Sequence, residues 1–335
     1  MAWPSGIRAS RKAPQMTDAS APNAKRNGGQ RPPRSEPSKG LIFAVLAYGL
    51  WGILPLYFLL LAPTGAFEIV AWRVLFTLIF CTLIITVTRT WHTLVAVLRK
   101  PRIVWTMGLA GVLIFINWQT YVFGTLTGHV VEAALGYFIN PIVTVFLGVL
   151  VLHERLRRIQ WIAVGLSIIA VVMLAIGYGS LPWISLVLAF SFGFYGLIKK
   201  RVGDQVDAVT GLTLETVWLA PVAIIQLIVV AALSGLTFGT VSPWHTVGLL
   251  TAGVVTAVPL LLFAAAARRL PLTSMGLIQY FAPILQFLVG VFILHEPMPP
   301  ERWVGFALVW VALLILTVDM IRSGRAPRRA SLEPV

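Results

Sequence analysis

Between residues 40 and 321 the chain is a succession of long apolar runs separated by short polar or basic joints. Ten runs stand out: 40 to 61, 67 to 88, 103 to 124, 131 to 152, 159 to 177, 181 to 199, 208 to 232, 245 to 267, 272 to 294 and 301 to 321. At about 1.5 Å of helical rise per residue, each is long enough to cross a hydrocarbon core of ~30 Å. None alternates apolar with polar residues over ten positions, as a membrane β-strand would, so the pattern predicts helices.

The runs repeat. LGYFINPIVTVFLGVLVLHERLRRIQWIAVGLSIIAVVML, from Leu135 to Leu174, is echoed 142 residues later, without a gap, by LIQYFAPILQFLVGVFILHEPMPPERWVGFALVWVALLIL, from Leu277 to Leu316. Pro141 falls on Pro283, Gly148 on Gly290, His153-Glu154 on His295-Glu296 and Trp161 on Trp303. The same offset sets Ala110-Gly111-Val112 on Ala252-Gly253-Val254. A preserved offset of this kind predicts two fused copies of one unit.

Charge fixes the expected orientation. Lysine and arginine stay on the cytoplasmic side of short loops. Apart from Arg73 and Arg302, every basic residue falls in one of the two tails or after the second, fourth, sixth or eighth run. Both termini are therefore expected in the cytoplasm. Five helices per copy is an odd number, so the second copy enters from the opposite side. The expected fold class is an all-α polytopic membrane protein of ten transmembrane helices built as two inverted five-helix repeats. Its expected units are a disordered basic tail (1–39), a first repeat (40–177), a second repeat (181–321) and a cytoplasmic tail (322–335). Inverted repeats place a binding site at their interface near the midplane.

Composition narrows the function. Hydrophobic residues make up 58% of the chain and charged ones 11%, with a mean hydropathy of +0.87, so no sizeable water-soluble domain fits between the runs. The net charge of +14 would suit nucleic acid, but the basic residues are scattered at the ends of apolar runs and form no basic face, so no nucleic-acid partner is expected. The single cysteine, Cys81, excludes an internal disulfide and reads as packing. The two His-Glu pairs lack the spacing that puts two ligands on one helix face, and inversion separates them across the membrane, so no metal and no cofactor is expected.

Polar groups inside apolar runs are the candidates for function. Arg73 lies ~9 Å below the outer surface in the second run. Glu215 lies at a similar depth from the inner side in the seventh, and the 142 offset maps one onto the other. An ionisable group in the hydrocarbon costs at least ~2.5 kcal/mol, which makes both default site residues. Glu215 is the candidate for proton coupling or for meeting a substrate cation, and Arg73 the candidate for meeting an anionic group. Glu68 and Glu132, at outer helix ends, are expected to be solvated or to neutralise Arg73. Pro141 and Pro283 are expected to kink the fourth and ninth helices, freeing the carbonyls of Tyr137 and Gln279 beside a cavity that Asn140 and Tyr280 also flank. Asn117, next to Trp118, is placed at the same cavity.

The run EAALGYFINPIVTVFLGVLVLHERLRRIQW, together with AFSFGFYGLIKK, LTLETVWLAPVA, AGVVTAVPLLLFAAAARRL and MGLIQYFAPILQF, resembles the RarD branch of the EamA group in the drug/metabolite transporter superfamily. The resemblance covers about residues 40 to 321. It implies a ten-helix inner-membrane transporter of small polar or amphipathic solutes. The sequence reading is thus a secondary transporter in the cell membrane, with export the favoured direction. It moves a small-molecule solute by alternating access, with the lipid bilayer as its surroundings and protons a candidate partner. No Walker-type loop supplies nucleotide energy. A channel-like facilitator and, further off, a membrane-embedded enzyme are the alternatives.

Cysteine labelling in a Cys81→Ser background tests the topology. Lys39, Arg99, Arg157, Lys200, Arg269 and Arg325 should label from the cytoplasm, and Thr64, Thr127, Ser180, Gly239 and Pro299 from outside. Sides that fail to alternate would break the charge argument.

Overall fold

The computed structural model describes residues 35–152, 158–178, 181–202, 205–267, 269–270 and 278–325. The basic tail up to residue 34, the His153-Glu154 pair, Arg157, Ser180 and the last ten residues lie outside this set.

Among the described residues every regular element is helical. The first predicted run forms two helices, α1 (Ser35–Gly52) and α2 (Leu54–Leu60), meeting at a bend of 42°. Helix α1 takes in residues 35–39, which the sequence assigns to the tail. There follow α3 (Ala66–Val87), the short α4 (Trp91–Leu98), α5 (Pro101–Leu126), α6 (Val130–Leu152), α7 (Arg158–Tyr178), α8 (Trp183–Val202) and α9 (Ala208–Leu233). Then come α10 (Pro243–Leu250), α11 (Ala252–Ala267), α12 (Phe281–Leu288), which runs into a π-helical turn over Val289–Ile293, and α13 (Pro300–Arg325). Six stretches are long and apolar enough to cross a membrane: Ala66–Val87, Pro101–Leu126, Arg158–Ile176, Ala208–Leu233, Pro243–Ala266 and Pro300–Asp319. The bent pair α1–α2 makes a seventh if taken as one span, and Val130–Val143, Trp183–Lys199 and Phe281–Ile293 are shorter apolar helical stretches.

The bend has a local cause. Pro55 stands in the first turn of α2 and has no N–H, so the Trp51 carbonyl loses its helical partner. Gln286, from α12, donates to that carbonyl at 3.0 Å. Proline acts differently in the repeat-related pair. Helix α6 continues through Pro141, whereas the ninth run is broken before Pro283, which occupies the first turn of α12, where a missing N–H costs nothing.

Helix α3 lies against α9 and α11, α5 against α8 and α9, α6 against α8 and α12, α1 against α11 and α12, and α7 against α13. Two repeat-related glycines allow close approaches between the copies. A β-carbon on Gly111 would stand 3.1 Å from the Glu215 carbonyl oxygen of α9, and one on Gly253 would collide with the backbone of Phe76 in α3. They are repeat partners, so each copy brings its third helix onto the second helix of the other at a residue without a side chain.

Between the membrane-spanning elements, buried carboxylates tie helix ends to loops. Glu68 accepts from the Thr237 N–H at 2.9 Å and the Phe238 N–H at 3.1 Å. Glu132 accepts from the Ile184 N–H at 3.0 Å, and Glu296 from the N–H groups of Val130 and, at 2.9 Å, Val131. The first N–H groups of a helix have no partner of their own, so Glu132 and Glu296 cap α8 and α6 from outside those helices' own first turns. Glu68 and Glu132 are therefore not the solvated interface residues expected of their positions; loops and helix ends close over them.

Glu296→Ala should lower stability by about 1–2 kcal/mol, the usual size of a lost cap, read as a lower unfolding midpoint of the purified protein. Glu301→Ala, at an exposed position nearby, should leave the midpoint unchanged.

Candidate functional site

Arg73 is carried on α3 about two turns from its N-terminal end and is 5% exposed. Its Nε donates to the Thr256 hydroxyl of α11 at 2.8 Å. The guanidinium lies over the Trp118 ring of α5, 4.2 Å from the centroid, and 5.6 Å from that of Phe58 in α2. Tyr57, Tyr121 and Tyr137 are its electrostatic neighbours. A desolvated cation over an aromatic face gains ~2 kcal/mol and a hydrogen bond from a charged donor ~1.5–3 kcal/mol. Together these offset the ~2.5–3.5 kcal/mol that a central arginine costs on insertion scales. Nη1 nevertheless has no hydrogen-bond partner.

The rings around Arg73 are themselves connected. Tyr57 to Phe58, Phe58 to Tyr121 and Tyr121 to Tyr137 are edge contacts with centroids 5.4, 6.1 and 5.6 Å apart. The Tyr137 hydroxyl donates to Asn117 Oδ1 at 3.0 Å. Asn117 Nδ2 donates in turn to the Leu188 carbonyl at 3.2 Å and to Ser191 Oγ at 3.1 Å, tying α5 and α6 to α8. Asn117 is thus a buried clamp whose hydrogen-bonding groups are already engaged, not an amide facing open space.

Glu215, on α9, forms a second cluster. Its carboxylate is fully buried and accepts from Lys199 Nζ at 2.8 Å and from the Tyr195 hydroxyl at 3.3 Å, both on α8. The Lys199 side chain remains 31% exposed. Gly211 makes room for it, because a β-carbon there would stand 2.8 Å from Nζ. The sequence reading counted Lys199 among the cytoplasmic basic residues and left Glu215 without a partner. The signal was available: the 142 offset sets Lys199 on Tyr57, beside Arg73, so the same two positions face each other in both copies.

The clusters are linked by aromatic rings. Tyr137 meets Phe192 at 6.0 Å and Phe192 meets Tyr195 at 5.9 Å, so a row of rings runs from the Arg73 box to the residue that binds Glu215. Of the other candidates, Asn140 donates to the Ala189 carbonyl at 3.1 Å and joins α6 to α8. Tyr280 packs into the core beside α6 and α13, and Gln279 is half-buried next to it. Arg73, Asn117 and Tyr137 therefore come together, Glu215 sits at the far end of the ring row, and Gln279 and Tyr280 belong to another part of the core.

These buried charges, set among long apolar helices, define a multi-pass membrane protein. The model of the EamA-like transporter family matches the chain twice, over residues 38–176 and 181–318, and the chain belongs to that family. It is 48% identical to Protein RarD of Streptomyces exfoliatus over 88% of this chain and 93% of that one. Against Protein RarD of Escherichia coli (strain K12) the identity is 42%, over 86% and 96% of the two chains. An uncharacterized transporter of Vibrio cholerae serotype O1 is 40% identical over 89% and 98%. One crystal structure, 19% identical, superposes with a TM-score of 0.54 over 85% of this chain and 98% of that chain, a likeness of fold.

Lys199→Met should destabilise the protein by about 2 kcal/mol, less than the ~3–5 kcal/mol of a fully buried pair because Lys199 is partly solvated. Adding Glu215→Gln should recover most of the loss. Additive losses in chemical unfolding would show that the two side chains do not interact.

Proposed function

We propose that this chain is a secondary active transporter of the cytoplasmic membrane that exports a small polar or amphipathic solute by alternating access. Two inverted five-helix repeats, residues 40–177 and 181–321, rock about the row of rings, with both termini in the cytoplasm. The observation that carries the reading is that row, with a buried cation at one end and a half-buried ion pair at the other, from repeat-equivalent positions on α3 and α9. The packing supports it: exchanging the two copies maps the α5–α9 contact onto α11–α3, α5–α8 onto α11–α1, and α6–α8 onto α12–α1. The transporter names of the relatives support it as well.

In this reading Arg73, Asn117, Tyr137 and Asn140 hold the solute path on the first copy's side, and Gln279 and Tyr280 on the second's. Pro141 and Pro283 shape the helices that flank it. Glu215 couples movement to protons. A proton on Glu215 dissolves its ion pair with Lys199, loosens α8 from α9 on the inner side, and is released when the pair re-forms.

Transport by reconstituted protein tests this, with a solute selected by thermal stabilisation of the purified chain. Wild-type vesicles should accumulate the solute against its gradient when a pH gradient is imposed, and show counterflow without one. Glu215→Gln should keep counterflow and lose at least tenfold in pH-driven accumulation. Downhill flux with neither accumulation nor counterflow would identify a channel-like facilitator, and conversion of the solute an enzyme.

A further inference from the structure

The box around Arg73 holds more unpaired donors than packing alone explains. Two buried polar atoms there, Arg73 Nη1 and the Tyr121 hydroxyl, lack a hydrogen-bond partner among the described residues, and so does the Thr77 hydroxyl one turn further along α3. Arg73 is 5% exposed, Thr77 0% and Tyr121 3%, so water does not serve them from bulk. Each such group left unmade costs ~1–3 kcal/mol, and three on α3 and α5 are an expensive way to fill a core. The buried carboxylates Glu68, Glu132 and Glu215 are committed elsewhere. Glu68 is held by Thr237 and Phe238, Glu132 by Ile184 and Glu215 by Lys199.

We propose that this box is the solute subsite and that the solute is an organic monoanion, a carboxylate on a planar apolar body. The guanidinium presents a flat fork that suits a carboxylate, and Nη1 is the free prong, since Nε is already given to Thr256. The Tyr121 and Thr77 hydroxyls supply two further donors to the same oxygens. Trp118 and Phe58 already carry the guanidinium, so the half-buried Tyr137 and Tyr57 rings take the apolar body, as aromatic walls do in small-molecule sites. A cationic solute would be repelled by Arg73, and a neutral one would leave the guanidinium uncompensated. The inference deepens the transporter reading, on which the solute's passage depends but its binding does not.

Thermal unfolding of the purified full-length chain tests it with benzoate and 3-phenylpropionate, their primary amides, and benzylamine. Both carboxylates should raise the midpoint by several degrees in a concentration-dependent way, and the amides and the amine should not. Arg73→Gln should erase the difference between acid and amide, while Arg73→Lys keeps part of it. If Arg73→Gln does not fold, Tyr121→Phe and Thr77→Val preserve shape and should each weaken carboxylate binding about five- to tenfold. Acids that stabilise no better than their amides, or an acid preference that survives Arg73→Gln, would overturn the proposal. Counterflow of the same compounds separates the two readings. Acid-selective binding without counterflow supports the subsite and removes the transporter reading. Counterflow confined to neutral or cationic solutes and unchanged in Arg73→Gln leaves a transporter and removes the anion subsite.

Discussion

The constraint on which the rest of this structure depends is that the hydrocarbon interior offers no water to backbone groups. Every helix end and every proline must find a partner within the protein, and the partners found here come from distant parts of the chain. The Trp51 carbonyl, released by Pro55, is met by Gln286, and the first N–H groups of α6 and α8 are met by Glu296 and Glu132. The loop at Thr237 and Phe238 is met by Glu68. Each of these bonds costs little to make and much to omit, so together they fix which helix ends lie side by side. Apolar packing of α3 on α9 and of α6 on α8 then has only one arrangement to fill.

Much of the fold was legible in the sequence, because run length and apolarity report directly on the solvent around a membrane helix. All ten runs meet helices where the chain is described, and Gly111 and Gly253, which the 142-residue offset aligns, are both points of close approach. The failures share a cause. Lys199, Glu68 and Glu132 sit at the ends of apolar runs, where a charge serves equally as a topology mark, a solvated end or a partner for something far along the chain. Only the third dimension separates these uses. Asn117 could be placed deep in a helix by counting, but not known to be fully engaged by Tyr137, Leu188 and Ser191. Pro283 was expected in mid-helix because its repeat partner Pro141 is, and the two copies differ at that point.

The two copies are alike in how helices meet and unlike in how charge is stabilised. Arg73 rests on ring faces and one threonine; Glu215, at the equivalent position, rests on an ammonium and a phenol. A ring face holds a cation without neutralising it, whereas an ion pair cancels its own field. The first arrangement leaves a net charge among the helices, and the second does not. Equivalent positions in a duplicated chain have thus acquired different chemistry without a change in their surrounding backbone scheme.

The bend between α1 and α2 bears on how the first helix can move. Changing the tilt of a continuous helix means stretching or breaking hydrogen bonds along its axis, and such events belong to the slow end of protein motion. At Trp51 the axial bond has already been removed by Pro55, and its replacement is an amide on a side chain that can turn about its own bonds. The angle between α1 and α2 can therefore change without breaking an axial hydrogen bond, at the cost of one side-chain contact. Proline in this position works as a clutch, letting one half of a rigid rod move while the other stays engaged.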